Sequence, residues 1–421
     1  MIVVFLAVVL LILGAIHFYL WKRLVKDTTA PGRRRRAGTV AVIVLALLLP
    51  VTLVGTRVLP HSQQPILAWP GYLWLALMFY LLVTLALLEL PRLALRLRLR
   101  RRTPAAAEEA PAAITVPATS ALPGSDDPSG VSPAESSASQ PSSADPTFDP
   151  ARRLLLGRSL AATAGALSVG AVGIGTWQAL GEPQLKRIPI RLAKLPASMD
   201  GFKIALVSDI HLGPLLGRSH TERIVRIINS VDADLVAVVG DLVDGSVAEL
   251  GSAAEPLQDL RARHGSFFVT GNHEYFSGYQ EWVDEVNSLG VRVLRNERVD
   301  IQGLDLAGVN DVTGADVGDG PDFAKALGGR DTARPVVLLA HQPVQAHDAA
   351  RHGVDLQLSG HTHGGQMVPF NLLVGLEAPV VAGLGNVDGT QVYVTRGAGF
   401  WGPPVRFGAP PDISVVELHG A

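Results

Sequence analysis

Three runs within the first 90 residues carry no charged side chain: residues 3–21 (VVFLAVVLLILGAIHFYLW), 37–56 (AGTVAVIVLALLLPVTLVGT) and 70–88 (PGYLWLALMFYLLVTLALL). Each is long enough to cross about 30 Å of hydrocarbon as a helix. In lipid every backbone polar group needs a partner within the chain, so such runs can only be helical. Residues 1–100 therefore read as a membrane region with three transmembrane helices. The first run is read as a span and not as a secretory leader, since no charged stretch precedes it and no small-residue cleavage pattern follows. Inside it, His17 is expected to be a packed residue. Pro50 interrupts the second run, a position membrane helices tolerate. Trp21, Trp69 and Trp74 lie near run ends, where interfacial aromatics are expected.

The loops set the orientation. Lys22, Arg23, Lys26 and Arg33 to Arg36 lie between the first two runs, and only Arg57 lies in 57–68. Arg92, Arg96, Arg98, Arg100, Arg101 and Arg102 follow the third. Positive charge stays inside, so the first and third loops face the cytoplasm and the N-terminus lies outside. The formal charge of the whole chain is only −2, which leaves no basic field for nucleic acid, and no nucleic-acid partner is expected. The chain contains no Cys, which excludes disulfides, thiolate metal sites and a Cys nucleophile.

Residues 101–150 are rich in Ala, Pro and Ser and read as a disordered linker. Residues 151–182 read as a fourth transmembrane helix with a twin-arginine-like start at Arg152–Arg153. Its apolar part, 159–180, is uncharged but diluted by Ala and Gly. If it spans, everything beyond it lies outside the cytoplasm; if it lies on the surface, the rest faces the cytoplasm. The four-span reading is preferred, giving an integral protein of the cell membrane with an extracytoplasmic C-terminal domain.

From 183 to 421 the pattern changes to short apolar runs bounded by Gly, Asp or Asn: 204–207, 235–239, 267–269, 336–339 and 356–358. Helical periodicity falls between them at 218–230 and 279–289, and further strands are expected near 391–395 and 413–418. Alternation of this kind makes an α/β domain whose functional loops follow the strand ends. Each of the five runs ends in polar side chains: Asp209 and His211; Asp241 and Asp244; Asn272 and His273; His341; His361 and His363. Carboxylate, imidazole and amide oxygen suit divalent manganese, zinc or iron. The seven candidate ligands Asp209, His211, Asp241, Asn272, His341, His361 and His363 exceed what one tetrahedral ion needs. They suit two divalent metal ions bridged by a carboxylate, a pair that neutralises a phosphoryl group during in-line displacement. Taken singly, Asp209, Asp241 and Asn272 also suit helix N-caps, and the histidines suit satisfied core positions.

The blocks Asp209-x-His211, Gly240-Asp241-x-x-Asp244, Gly271-Asn272-His273-Glu274, His341 and Gly360-His361-x-His363 occur in that order. Together they resemble the calcineurin-like metallophosphoesterase superfamily. The resemblance implies a four-layer α-β-β-α sandwich. It implies that Asp209, His211 and His363 bind a first metal, that Asn272, His341 and His361 bind a second, and that Asp241 bridges them. It also implies that His273 contacts the phosphate and protonates the leaving oxygen, oriented by Asp244. Where the serine/threonine protein phosphatase branch has Arg after the second Asp, this chain has Gly245. Gly-His-Thr-His-Gly-Gly-Gln at 360–366, with Thr395 to Gly399 and Pro403 to Arg406, looks instead like the bacterial membrane-associated branch.

The resulting expectation is a membrane-anchored, dinuclear phosphoesterase that hydrolyses phosphodiester or pyrophosphate bonds of lipid-linked or envelope substrates. A phosphomonoesterase for small soluble substrates, and an inactive membrane sensor or scaffold, are the alternatives. Arg396 and Arg406 suit either a phosphate contact or a structural role, Asp311 either the cleft or a turn, and Gln366 either the metals or the loop. Glu274 is read as supporting the ligands. His220, His264, His347, His352 and His419 match no block and are read as surface residues.

Overall fold

The computed structural model describes residues 2–102 and 150–420. Residues 103–149, the bulk of the expected linker, lie outside the described residues. Four long helices come first: α1 (Ile2–Leu20), α2 (Arg33–Val58), α3 (Gln64–Arg102) and α4 (Pro150–Leu180). A π-helical turn, Trp21–Lys26, extends α1. All four carry segments long and apolar enough to cross a membrane, Leu154–Leu180 of α4 included. They pack through Leu20, Leu49, Trp74, Met78, Leu81, Leu85 and Ala164. His17 is buried among them as expected, and its Nε2 accepts the Trp74 indole N–H at 3.2 Å. Trp74 is therefore a bundle residue and not an interfacial one: its polar edge finds a partner inside.

The helices α3 and α4 run side by side, with Thr84 and Ser168 hydroxyls 3.1 Å apart. Arg158 donates to the Thr28 carbonyl at 3.1 Å. The start of α4 thus sits beside the basic loop that joins α1 to α2.

The C-terminal half holds two six-stranded sheets. The first contains β1 (Gln184–Arg191), β2 (Phe202–Val207), β3 (Leu235–Val239), β4 (Ser266–Val269), β5 (Val291–Val293) and, between β1 and β2, the last strand, β12 (Asp412–His419). The second contains β6 (Glu297–Ile301), β7 (Leu304–Gly308), β8 (Val336–Leu339), β9 (Leu356–Ser359), β10 (Gly383–Val387) and β11 (Thr390–Val394), in the order β10-β11-β9-β8-β7-β6.

Strand alternation builds the layers, because successive side chains face opposite sides of a sheet. Ile204 and Leu206 of β2 face Leu306, Leu339 and Leu358 across the space between the sheets. Their neighbours Ala205 and Val207 face outward, beneath Ile224 and Ile228 of α5 (Arg218–Asn229), Leu250 of α6 (Val247–Ala254) and, past the short α7 (Asn272–Phe276), Trp282 of α8 (Tyr279–Ser288). On the far side Ala307, Val336 and Leu338 carry Phe323 and Leu327 of α9 (Phe323–Leu327) and Ala349 of α10 (Ala346–Arg351). The result is the expected four-layer α-β-β-α sandwich.

β2, β3 and β4 are mutually parallel, as are β7, β8 and β9. The loops after them consequently gather along one edge of the sandwich, where ligands bind in open parallel sheets.

One expected surface residue is not at the surface. His220 is only 3% exposed, on the α5 face that also buries Thr221, Ile224, Val225 and Ile228. Burial first, and the nearby Arg223 charge second, pull its pKa down to about 4, so it packs as a neutral ring.

Candidate metal centre

Five of the seven candidate ligands adopt positive φ: Asp209 (53°), His211 (51°), Asp241 (54°), His361 (72°) and His363 (51°). This conformation is unfavourable for residues with a Cβ and persists where the surroundings impose it. It also excludes the capping alternative for Asp209 and Asp241. The helix after β2 starts beyond Gly217, and Asn272 is the first residue of α7, behind its cap Gly271.

The surroundings are close contacts between the loops. A Cβ at Gly360 would lie 1.9 Å from Ser208 Oγ and 2.4 Å from Asp209 Oδ2, and one at Gly271 would lie 2.3 Å from Asp241 Oδ1. Only glycine lets the loops approach this closely. Gly360→Ala is expected to destabilise the full chain by about 1–3 kcal/mol through overpacking, read as a lower unfolding midpoint. An unchanged midpoint would show that the loops are not held by this contact.

Six of the seven candidate ligands converge in two groups, Asp209–His211–His363 and Asp241–His341–His361, and a third group joins His211 to Asp244 and His273. In the first, Asp209 Oδ1 lies 3.4 Å from His363 Nε2 and 4.0 Å from His211 Nε2, and the two Nε2 atoms are 3.0 Å apart. In the second, Asp241 Oδ2 lies 3.1 Å from His341 Nε2, and His341 Nε2 lies 3.2 Å from His361 Nδ1. Asp241 joins the groups, because the same Oδ2 is 3.8 Å from His211 Nε2.

Two of the rings are oriented from behind. His341 Nδ1 donates to the Val239 carbonyl at 2.7 Å, and His211 Nδ1 bonds to Asp244 Oδ1 at 3.0 Å. Such outer partners fix which nitrogen faces the ion. Asp209 accepts the His361 backbone N–H at 3.1 and 3.0 Å on its two oxygens.

Asp244 serves two rings at once. Its Oδ1 also lies 2.6 Å from His273 Nδ1. His273 stands just outside the ligand groups, edge-on to His211 at 4.7 Å between centroids, with Phe276 and Trp401 against its open sides.

The charges are strongly coupled. Burial favours neutral His211, yet Asp244, Asp241 and Asp209 raise its pKa to about 9. His341 likewise rises, with Asp241 overcoming burial. His361 and His363 move down, first through burial and then through His341 and His211 respectively. Burial opposes ionisation of Asp244, but His211 and His273 hold it at about 2; Asp241 is held well below the usual range, chiefly by His341.

The residues fit divalent metal. The donor set is imidazole, carboxylate and amide, and Asn272 Oδ1 is buried with no hydrogen-bond partner among the described residues. A buried acceptor without a donor is costly unless a cation fills its lone pair.

Two supporting residues stand behind the ligands. Glu274 is fully buried, and its carboxylate accepts backbone N–H from Gly271 (2.6 Å), Asp241 (3.0 Å) and Leu242 (2.8 Å). It ties the loop after β3 to the loop after β4, against the burial and Asp241 charge that push its pKa up to about 7. Arg406 is also fully buried: Nη1 lies 2.7 Å from His363 Nδ1, and Nη2 donates to the carbonyls of Arg396 and Gly397. Burial lowers its pKa to about 10, so it stays charged at neutral pH. It is buried against the ring of a candidate ligand and is no phosphate contact.

Gln366 shapes its loop, donating to Trp401 and Pro403 carbonyls and accepting the Trp401 N–H. Asp311 is a turn residue, accepting from Thr313 N–H at 2.8 Å and Gln342 Nε2 at 3.1 Å.

The calcineurin-like phosphoesterase family model matches residues 202–365. A metallophosphoesterase of Helicobacter pylori strain J99, described as uncharacterized, is 42% identical over 247 residues, 58% of this chain and 66% of that protein. A transmembrane protein with metallophosphoesterase domain from Danio rerio is 41% identical over 253 residues, 57% of this chain and 58% of that protein. The chain thus spans about 58–66% of the length of these two relatives. An uncharacterized metallophosphoesterase of Aquifex aeolicus is 36% identical over 243 residues, with 92% of its length covered. With its ligand blocks in order on a four-layer sandwich, this membrane-associated chain belongs to the calcineurin-like phosphoesterases, a family of metal-dependent proteins.

Proposed function

We propose that the chain is a dinuclear metallophosphoesterase of the cell membrane, with its catalytic domain outside the cytoplasm, that hydrolyses phosphodiester or pyrophosphate bonds in lipid-linked substrates. The observation that carries the chemistry is the pair of ligand groups joined by Asp241, with His273 beside them on Asp244. Asp209, His211 and His363 would hold one ion, Asn272, His341 and His361 the other, and Asp241 both. Two such ions, when bound, would neutralise phosphoryl charge and lower the pKa of an attacking water. His273 supplies the proton to the departing oxygen. Asp244 holds the ring in place, as an orienting carboxylate does for a general acid.

The orientation rests on helix packing. The basic end of α1, the start of α2 and the start of α4 meet around Thr28 and Arg158. The catalytic domain leaves from the opposite end of α4, at Leu180. With the basic loops inside, the domain is outside. Reporter fusions after residues 100 and 185 are expected to report opposite sides of the membrane; the same side for both would sink the four-span topology.

Proximity to the bilayer supports a lipid-linked substrate. Arg406 touches His363, and the next residue, Phe407, packs on Tyr80 of α3 at 5.6 Å between ring centroids. Full-length protein in phospholipid vesicles is expected to cleave a lipid-linked diester or pyrophosphate with at least tenfold higher kcat/KM than a soluble chromogenic monoester. The reverse order would favour the phosphomonoesterase alternative.

A further inference from the structure

The loop that carries His361 and His363 continues into an uncharged stretch, Met367 to Leu376 (MVPFNLLVGL). It includes a short helix, α11 (Asn371–Val374). Four of its large apolar side chains face outward: Phe370 (44% exposed), Leu372 (70%), Leu373 (58%) and Leu376 (80%). Clustered exposure of this kind on a folded protein marks a contact surface.

The stretch is not a free-standing flap. Gly365 sits against Asn371, where a Cβ would lie 2.4 Å from the Asn371 Cα. Val368 N–H donates to the Phe407 carbonyl at 3.0 Å. Gln366 is bonded to Trp401 at the mouth of the site. Moving this surface therefore moves the ligand loop.

Its position says what covers it. The Phe370 ring lies 6.3 Å from the Phe79 ring of α3, edge to face. Phe79 belongs to the apolar segment His61–Leu90, 11 residues from its basic-loop end. At 1.5 Å per residue that is about 16 Å along the helix, half of a hydrocarbon core of about 30 Å. Ala171 and Val172, deep in α4, pack at the same place against Val405 and Phe407. Side chains at this depth that are not covered by α3 or α4 face acyl chains.

We propose that Phe370, Leu372, Leu373 and Leu376 insert into the outer phospholipid leaflet and hold the mouth of the metal centre, beside Phe276 and Trp401, against the bilayer. The inference rests on the membrane-spanning reading and deepens the lipid-linked one: a phosphoester would reach the ions laterally, its tail remaining in the bilayer. Burying apolar side chains in the acyl boundary is the driving force, as for interfacial helices.

The absence of Cys makes single-cysteine labelling of the full chain direct. Leu372→Cys, Leu376→Cys and, as a control on the exposed side of α8, Glu281→Cys would each carry an environment-sensitive fluorophore. The proteins would be reconstituted in phosphatidylcholine–phosphatidylglycerol vesicles. Expected at 372 and 376 are blue-shifted emission and quenching by acyl-chain nitroxide lipids, with neither at 281. Iodide quenching at 372 and 376 equal to that at 281 would overturn the proposal. So would protection that disappears as the protein-to-lipid ratio is lowered, which would assign the surface to a second copy of the chain.

The triple variant Leu372→Glu/Leu373→Glu/Leu376→Glu is expected to lose about tenfold or more in turnover of vesicle-embedded substrate while soluble chromogenic turnover stays within about twofold. Equal loss on both would overturn the positioning role. If the wild type cleaves no lipid-linked ester, the depth readout still decides insertion, so the two readings fail separately.

Discussion

Asp241→Asn is expected to abolish phosphoester hydrolysis, by at least about 10³-fold, and to reduce bound metal from two ions per chain to one at most. The substitution keeps size and shape and removes one negative charge. That charge is the one element shared by both ligand groups: Oδ2 reaches His341 Nε2 at 3.1 Å and His211 Nε2 at 3.8 Å. Asp241 also favours the charged form of two rings, so its loss leaves buried His341 without its chief counter-charge, while His211 keeps Asp244 and Asp209. The backbone need not suffer, because the His273 N–H donates to Oδ1, which an amide oxygen can replace. Metal content by mass spectrometry, circular dichroism and turnover of a diester separate these effects. A folded variant that keeps two ions and full activity would remove Asp241 from the bridging position.

His273→Ala is expected to act differently. Turnover should fall by about 10²–10⁴-fold, the range for loss of a general acid, with metal content unchanged. The loss should depend on the leaving group. A nitrophenolate departs without a proton, so its hydrolysis should be affected least; an alkoxide requires the proton, so an alkyl ester should suffer most. Equal losses on both would assign His273 to substrate binding and not to proton transfer. Asp244→Asn offers the companion result. Because Asp244 backs both His273 and His211, it should lower turnover and weaken metal retention together.

The convergence of the candidate ligands was legible because of where these residues fall. Buried parallel strands read as apolar runs, and each ligand stands directly after one: Asp209 after β2, Asp241 after β3, Asn272 after β4, His341 after β8 and His361 after β9. Less was legible where identity depends on distant partners. β1, QLKRIPIR, looks polar and becomes a strand only because it pairs with β12, more than 200 residues away. The Arg406–His363 contact joins residues 43 apart, and nothing local marks Arg406 as a ligand's support. Glu274 follows the Asn272–His273 block directly, but its clamp on three backbone N–H groups of two loops is visible only in the fold. His220 belongs to no motif block, yet its spacing to Ile224 and Ile228 puts it on the buried face of α5.

The most direct test of the account is metal dependence of the full-length protein itself. Purified in detergent, stripped with a chelator and titrated with Mn²⁺, it is expected to lose hydrolysis of a chromogenic phosphodiester on stripping. It should regain that activity in step with binding of two ions per chain. Diester turnover that survives complete metal removal, or a stripped chain that binds no divalent ion, would contradict the dinuclear assignment.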